Sequence, residues 1–318
     1  MTNSESAFMN SAFIKKHISL FSKIAILTAT LIWGSSFFIL KNVIDELPKW
    51  YVLGTRFFFG TVILGIAFHK KLHKLNRKII IHGVVLGIIL FLAYAFQTWG
   101  LQNTTPGRNA FFTAVYVVMV PFVFWITDRE KPTFSVIMAA LICICGIFLL
   151  SWEGGFSSNS GDVLSLIGGF FYALQIVYTF KYAREDDPIT ITFFQFATCA
   201  VLFFTLALLT EEFPQTIAAN QIIPLLYLGI FCTTVALILQ NMAQKHIPTT
   251  TASLLLSLEA VFGVLFSILF YGETLSFRSG IGFLLIFAAE VASQTNILNP
   301  GKKQTEREIQ NKTNEPIK

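Results

Sequence analysis

The sequence predicts an all-α membrane protein with ten transmembrane helices, arranged as two inverted five-helix repeats. The first observation is composition: 54% of the 318 residues are hydrophobic and only 13% are charged, against about 25% charged in soluble domains. The second is a series of apolar runs of about 20 residues, the length that crosses about 30 Å of hydrocarbon as a helix. Because backbone groups in lipid must be hydrogen-bonded within their own segment, these runs are predicted to be helices.

The third observation is an internal repeat. A shift of 143 residues places Gln240 on Gln97 and Glu273 on Glu130, and each copy has a polar break, an apolar run and an acidic residue just past it. The common offset and the matching hydropathy indicate that one half of the chain repeats the other. A shift of 140 residues adds further matches upstream: Lys41 with Lys181, Asp45 with Glu185, and Pro48 with Pro188.

The apolar runs define the predicted organisation of the chain. A polar N-terminal tail, expected to be disordered, covers residues 1–17, and the two five-helix repeats cover 18–152 and 162–297. A Gly/Ser-rich connector at 153–161 separates them, and a charged, disordered tail follows at 298–318. The ten spans are expected at about residues 18–40, 48–68, 80–100, 107–127, 134–152, 162–181, 188–209, 223–243, 250–271 and 279–297.

Positive charge alternates between the connectors. Eighteen Lys and Arg residues lie in the two tails and the even-numbered connectors, four lie in the odd-numbered connectors, and Arg56 lies within a span. Because Lys and Arg accumulate on the cytoplasmic side, both termini are predicted to be cytoplasmic and the protein to lie in the cell membrane. Five spans per half is an odd number, so the second half enters the membrane from the opposite face. Such inverted halves can expose one central site alternately to the two sides.

Several motifs resemble those of the drug/metabolite transporter superfamily, specifically EamA-type permeases. The resemblance covers about residues 20–297 and implies a ten-helix carrier with a central cavity lined by spans one to four and six to nine. It also implies a small metabolite, an amino acid or a toxic compound as cargo, often moved outward. Ala260 departs from the family pattern, in which Pro often follows the Glu. The matching residues are Trp33–Phe37, Arg56–Phe57, Tyr116–Pro121, Gly161–Leu164, Leu256–Ala260 and Gly272–Glu273.

Two charged residues lie near the predicted membrane midplane. A charge deep in hydrocarbon costs about 2.5–3.5 kcal/mol, so each is a functional candidate. We expect Arg56 and Glu259 to face the cavity, with Arg56 binding a substrate carboxylate or pairing with Glu259, and Glu259 taking a proton. The structural alternative is a fixed ion pair that holds span two against span nine.

Amides and aromatic residues complete the predicted substrate site. The amides suit hydrogen bonds to a polar ligand, and bonds between helices are the structural alternative. The aromatic rings suit a cavity for aromatic or cationic cargo, and ordinary packing is their alternative. For Glu130 and Glu273, which follow spans four and nine, helix-end contacts are favoured over gating. The predicted site residues are Trp33, Tyr94, Gln97, Tyr116, Gln175, Tyr178 and Gln240, with Arg56 and Glu259.

These features predict a secondary transporter. The sequence contains no Walker motif, no phosphate loop and no HExxH metal motif, so we expect no enzyme, no catalytic residue, no cofactor and no metal. The expected partners are a small-molecule substrate and the lipid bilayer, not nucleic acid; a homodimer through spans five and ten stays open. A passive channel and a membrane-embedded enzyme are the alternatives.

Overall fold

Helices form all of the regular structure in the described residues, as the composition predicts. The computed structural model describes residues 3–70, 76–129, 131–151, 160–247, 252 and 255–294. The expectations for Glu130, for most of the connector and for the C-terminal tail lie outside these ranges. The α-helices are α1 (Asn3–Ile44), α2 (Lys49–Ala67), α3 (Arg77–Gln102), α4 (Pro106–Ala114), α5 (Tyr116–Asp128), α6 (Phe134–Ser151), α7 (Ser160–Glu185), α8 (Pro188–Thr210), α9 (Ala219–Tyr227), α10 (Ala236–Gln244), α11 (Leu258–Phe266) and α12 (Phe277–Gln294).

The helices fall on the predicted apolar runs. Seven helical stretches are long and apolar enough to cross a membrane, and α6, α11 with its extension and α12 contain shorter apolar helices. Helices α4 and α5 together make one such stretch, and so do α9, α10 and the π-helical segment between them. The apolar span begins at His17, close to its predicted start. The expected disorder of the N-terminal tail was wrong, because helix α1 already begins at Asn3. Residues 3–17 contain no Gly or Pro, so nothing in them stops the helix.

Helices α2 and α8, which occupy equivalent places in the two halves, pack against each other in opposite directions. A Cβ atom on Gly54 would lie 2.7 Å from the Phe204 ring, and one on Gly65 would lie 3.3 Å from the Phe193 ring. Residue numbers therefore rise along α2 as they fall along α8. Small residues at such contacts let membrane helices approach closely.

Two further pairs of equivalent helices show the same arrangement. In the α6–α12 pair, the Ser135 hydroxyl donates to the Ala292 carbonyl (3.3 Å) near the start of α6. Near the other end of α6, a Cβ on Gly146 would lie 2.9 Å from the Gly282 carbonyl. The last pair consists of the stretch formed by α4 and α5 and the corresponding stretch that contains α11. Gly107 lies against Glu273, Ala110 against Gly263 and Tyr116 near Glu259, so residue numbers rise along one stretch as they fall along the other. Corresponding helical stretches of the two halves thus run antiparallel where they pack against each other.

Three interruptions of the α-helical pattern lie in the stretches that surround this centre. The helix breaks at Val115 between α4 and α5, and Pro121, which has no N–H to donate, follows inside α5. Leu228–Val235 is a π-helical segment in which the Thr233 hydroxyl bonds the Leu228 carbonyl five residues earlier (2.9 Å). A second π-helical segment, Ser267–Tyr271, extends α11. π-Helical turns are rare and often occur at functional sites.

We predict that Gly168→Ala destabilises the bundle while Gly280→Ala does not. A Cβ on Gly168 would lie 2.9 Å from the backbone nitrogen of Gln97 and 3.1 Å from the Ala93 carbonyl, and backbone atoms cannot rotate away. A Cβ on Gly280 would meet nothing within 4 Å. Overpacking costs about 1–3 kcal/mol. Thermal unfolding midpoints of the purified variants measure the difference, and equal midpoints would contradict the close packing of α3 on α7.

Candidate functional site

A small cavity lies at the centre of the bundle, between helices from both halves of the chain. Its walls come from α1, α2, α3, α4, α5, α7, α10 and the start of α11. The space open to the centre of a water molecule is about 30 Å³, room for roughly two waters and far less than a typical ligand pocket of roughly 300–1,000 Å³. The bundle is therefore closed around its centre. The polar and charged lining residues are Ser36, Arg56, Gln97, Asn109, Thr113, Gln175, Gln240 and Glu259.

The structure brings eight of the nine predicted site residues together. Trp33, Tyr94 and Tyr116 join five of the polar residues named above in the wall of the cavity. Tyr178 does not line it. Tyr172, Gln175 and Ile176 lie on the cavity-facing side of α7. Tyr178 is turned about 60° from Gln175 in the direction away from Tyr172 and Ile176. Its ring instead packs near that of Tyr182, with 5.7 Å between the ring centroids.

Arg56 is buried in α2, with 1% of its side chain exposed. Its Nε donates to the Thr233 hydroxyl (2.9 Å), and its guanidinium carbon lies 5.4 Å from the centre of the Tyr94 ring. Thr233 belongs to the π-helical segment Leu228–Val235, so this irregular turn holds the arginine in place. A desolvated cation over an aromatic face is stabilised by about 2 kcal/mol. Its Nη1 has no hydrogen-bond partner in the described residues, so the guanidinium keeps a donor for an anionic group.

Glu259 lies across the cavity, near the start of α11. The Tyr116 hydroxyl is 3.5 Å from its Oε2, at the outer limit of a hydrogen bond. Tyr116 and Glu259 are 143 residues apart, the offset of the internal repeat, so equivalent positions of the two halves meet here. Their contact shows that the two halves of the chain meet at the cavity.

The expected alternative of a fixed Arg56–Glu259 ion pair is wrong. Among the described residues, no nitrogen of Arg56 lies within 4.0 Å of a carboxylate oxygen. Thr233 and Tyr94 hold the guanidinium instead, while Glu259 contacts Tyr116. The two opposite charges both reach the cavity, but neither neutralises the other through direct contact. Each of them is therefore free to bind a different charged group of the same ligand.

The predicted amides line the cavity and also bond between helices. The side-chain oxygen of Gln97 accepts a hydrogen bond from the Tyr172 hydroxyl (2.9 Å), and this bond joins α3 to α7. The Gln240 amide donates to the side-chain oxygen of Gln175 (3.3 Å), and Gln175 donates to the Thr179 hydroxyl (3.0 Å). The amides thus bond between helices in this structure, which is the structural alternative. They also lie in the wall of the cavity, within reach of a ligand.

A carboxylate joins the two halves at the end of the bundle where α4 begins. Glu273 accepts hydrogen bonds from the Thr105 hydroxyl (2.6 Å), from the backbone N–H of Gly107 (3.0 Å) and from the Ser267 hydroxyl. These four residues form the Glu273 cluster. A Cβ on Gly107 would lie 2.6 Å from the carboxylate, so a larger residue here would force the Glu273 side chain to shift. The predicted helix-end contact of Glu273 is confirmed, and the charge also suits the positive end of α4.

An ion pair adjoins the Glu273 cluster. Arg108 of α4 binds Asp162 of α7 with two nitrogens: Nε is 3.3 Å from Oδ1, and Nη2 bonds Oδ2. The Thr104 hydroxyl donates to the same carboxylate (3.0 Å). The first turn of α4 is therefore tied to α7 and to the extension of α11, both from the second half.

The sequence interpretation missed several residues of the site. Tyr172 shares a helix face with Gln175, three residues later, and this spacing could have identified it. Asp162 stood in a motif but received no role, because only the fold places it beside Arg108. Thr233 could not be found from spacing, since a π-helical turn directs it at Arg56. No group of three His, Cys, Asp or Glu side chains that could hold a metal occurs in the described part of the chain.

Comparison with known proteins adds a family. The model of the EamA-like transporter family matches residues 20–152 and again residues 159–292. An uncharacterized transporter of Archaeoglobus fulgidus is 32% identical over 272 residues, covering 86% of this chain and 85% of that protein. The uncharacterized inner membrane transporter YedA of Escherichia coli is 22% identical, covering 92% of this chain and 96% of its own.

A solved crystal structure shows the same fold. Its chain is 16% identical, the TM-score is 0.64, and the alignment covers 86% of this chain and 96% of that one. At this identity the likeness concerns the fold alone. Together with the apolar helices, the relatives indicate an integral, multi-pass membrane protein.

We predict that Glu273→Gln lowers the thermal unfolding midpoint. The amide keeps one acceptor oxygen for three donors and carries no charge at the start of α4, and loss of such a cap costs about 0.5–2 kcal/mol. Glu212→Gln, at an exposed position, is the matched control and should unfold like the unmodified protein. A Glu273→Gln variant as stable as this control would show that the cluster does not hold the halves together.

Proposed function

Because the chain belongs to the EamA-like transporter family, we propose that it is a secondary transporter that moves its cargo outward across the cytoplasmic membrane by alternating access. The cargo class is a small metabolite, an amino acid or a toxic compound. The observation that carries the proposal is the central cavity, which both halves line and in which Arg56 and Glu259 face the same space without pairing. A guanidinium and a separate carboxylate suit a ligand that carries both a negative and a positive group.

The helix packing supports ten membrane crossings in two inverted halves. Equivalent helices run antiparallel in the α2–α8 and α6–α12 pairs, and the α4–α5 stretch runs antiparallel to its counterpart, which contains α11. Two units related by an axis in the membrane plane require this arrangement, because each helix of one half must run opposite to its counterpart. The meeting of Tyr116 with Glu259, one repeat offset apart, supports an axis that passes through the cavity.

The charge bias of the connectors supports an orientation. With both termini in the cytoplasm, the Glu273 cluster lies on the outer side and the end of α10 on the cytoplasmic side. The cavity is then closed outward by the Glu273 cluster and by the Arg108–Asp162 pair. Since the cavity is too small for a metabolite, binding requires that the bundle open. A passive channel needs a continuous opening, so the closed centre favours a carrier over that alternative.

We predict saturable exchange in proteoliposomes. Purified protein is reconstituted, the vesicles are loaded with unlabelled compound, and entry of the same labelled compound is followed for candidates first found by thermal shift. A carrier with one alternating site gives counterflow, in which internal cargo accelerates entry of labelled cargo. Flux that rises linearly with concentration and ignores internal cargo would contradict the proposal and favour a channel. Chemical conversion of a lipid or ligand would favour the enzyme alternative.

We predict that Arg56→Gln lowers transport of a carboxylate-bearing cargo by about 10–100-fold, because a hydrogen bond to a charged group contributes about 1.5–3 kcal/mol. Arg77→Gln, at an exposed position, is the matched control and should transport normally. Initial rates at subsaturating concentration measure the effect. Equal rates for Arg56→Gln and the control would exclude the carboxylate-binding role of Arg56.

We predict that Glu259→Gln abolishes the dependence of transport on pH. The amide cannot take up or release a proton, so the variant should keep one rate across the range in which the unmodified protein varies. Rates are measured at equal internal and external pH, with Glu212→Gln as the control. A Glu259→Gln variant with unaltered, equally pH-dependent transport would exclude the proton role.

A further inference from the structure

From the polar groups buried beyond the cavity, we infer that Gln244 is a second hydrogen-bonding position for the cargo, on the cytoplasmic route from the central cavity. This inference rests on the proposed function, since it describes the path of the transported molecule. It concerns a small cargo with both donor and acceptor groups, because one amide offers an oxygen that accepts and a nitrogen that donates.

Gln244 continues the cavity-facing side of α10. Leu237 and Gln240 of this helix line the cavity. Gln244 follows Gln240 by four residues, which places it about 6 Å further along the axis and about 40° around it. Leu237 lies at about 60° from Gln240 in the same direction, so Gln244 falls between the two cavity-lining directions. It is the next residue that a molecule would meet on leaving the cavity toward the end of α10.

The Gln244 side chain is 0% exposed, yet neither its amide oxygen nor its amide nitrogen has a hydrogen-bond partner in the described residues. Burying an amide without a partner is unfavourable, and a leucine would avoid the penalty. The position one repeat offset earlier is Leu101, which lines the cavity in the first half. The glutamine therefore has no protein partner in this conformation, whereas an opening at this end of α10 would expose it to water or cargo.

The neighbouring side chains share this property. Asn241 donates to the Thr192 hydroxyl (2.8 Å) and to the Gln195 side-chain oxygen (3.1 Å), both on α8. The Asn241 oxygen and the Gln195 amide nitrogen nevertheless lack partners in the described residues. All three residues are at most 1% exposed. Near the end of α10 there is thus a group of buried polar side chains that have unused hydrogen-bond donors and acceptors.

The opposite end of the bundle is bonded differently. There, Glu273 has three donors and Asp162 binds both Arg108 and Thr104. Both carboxylates at that end are bonded to the other half of the chain, although the Thr98 hydroxyl and the Asn109 side-chain oxygen near them lack partners in the described residues. At the α10 end, by contrast, the Gln244 amide has no partner for either of its polar atoms. Opening at the α10 end would let water or cargo reach Gln244 and restore its hydrogen bonds. The polar group is therefore best explained as a wall of the cytoplasmic route.

Thiol labelling tests the inference without requiring a known cargo. The native cysteines Cys143, Cys145, Cys199 and Cys232 are replaced by alanine, and Gln244→Cys is introduced into this background. A charged methanethiosulfonate that does not cross membranes is applied to inside-out and right-side-out vesicles. We expect labelling at least tenfold faster in inside-out vesicles. Met242→Cys is the matched control on the same helix. Met242 is 46% exposed on the surface of the bundle that faces lipid, so a cysteine at this position should not react with the charged reagent.

A second variant distinguishes a role of Gln244 in the cargo route from a purely structural role. Gln244→Leu removes the unpartnered amide, so we expect a higher thermal unfolding midpoint together with slower transport. A lower midpoint with unchanged transport would overturn the inference, and so would a Gln244→Cys variant whose new thiol is unreactive from both sides. If the unmodified protein transports nothing, the proposed function fails, but the side from which the Gln244→Cys variant is labelled is still measured independently.

Discussion

The structure depends on one constraint: inside a membrane, a polar or charged group must find its partner within the protein. The lipid-facing surface obeys it with apolar side chains, and the polar side chains gather between the two halves. Arg56, a fully charged residue in the middle of α2, is held by Thr233 and Tyr94 rather than by a carboxylate. Its unused donor and the separate Glu259 leave two opposite charges facing one cavity.

The antiparallel pairing of equivalent helices explains why that cavity lies at the centre. Where helices from the two halves approach most closely, glycines such as Gly54 and Gly168 allow contact. Tyr116 and Glu259, which are one repeat offset apart, meet at the cavity. The two ends differ in sequence: at the repeat offset, Leu101 in the first half corresponds to Gln244 in the second. An exchange between two conformations requires both to be of similar stability. The bonds of Glu273 and Asp162 favour closure at one end of the bundle, and the unpartnered Gln244 amide disfavours closure at the other.

Much of the fold and part of the candidate site could be predicted from the sequence. The remaining features could not be predicted, for physical reasons. Hydropathy gives the apolar helices because lipid imposes length and composition on each of them, and the repeat indicates that Gln97 and Gln240 belong together. Pairwise contact is harder to predict. The Arg56–Glu259 ion pair was expected from similar depths in the membrane, but depth does not fix the direction of a side chain. Tyr178 was assigned to the site by composition, and its helical phase places it elsewhere. Thr233 reaches Arg56 through a π-helical turn, for which the sequence contains no recognised signal.

One measurement tests the central claim that a single cavity opens alternately to the two sides. Ser36, which lines the cavity, is replaced by cysteine in the background without native cysteines, and labelling by an impermeant thiol reagent is compared in vesicles of both orientations, with and without Glu273→Gln. Alternating access predicts that loosening the Glu273 cluster raises labelling from the outer side and lowers it from the cytoplasmic side. Labelling that rises from both sides together, or that does not change from either, would contradict alternating access.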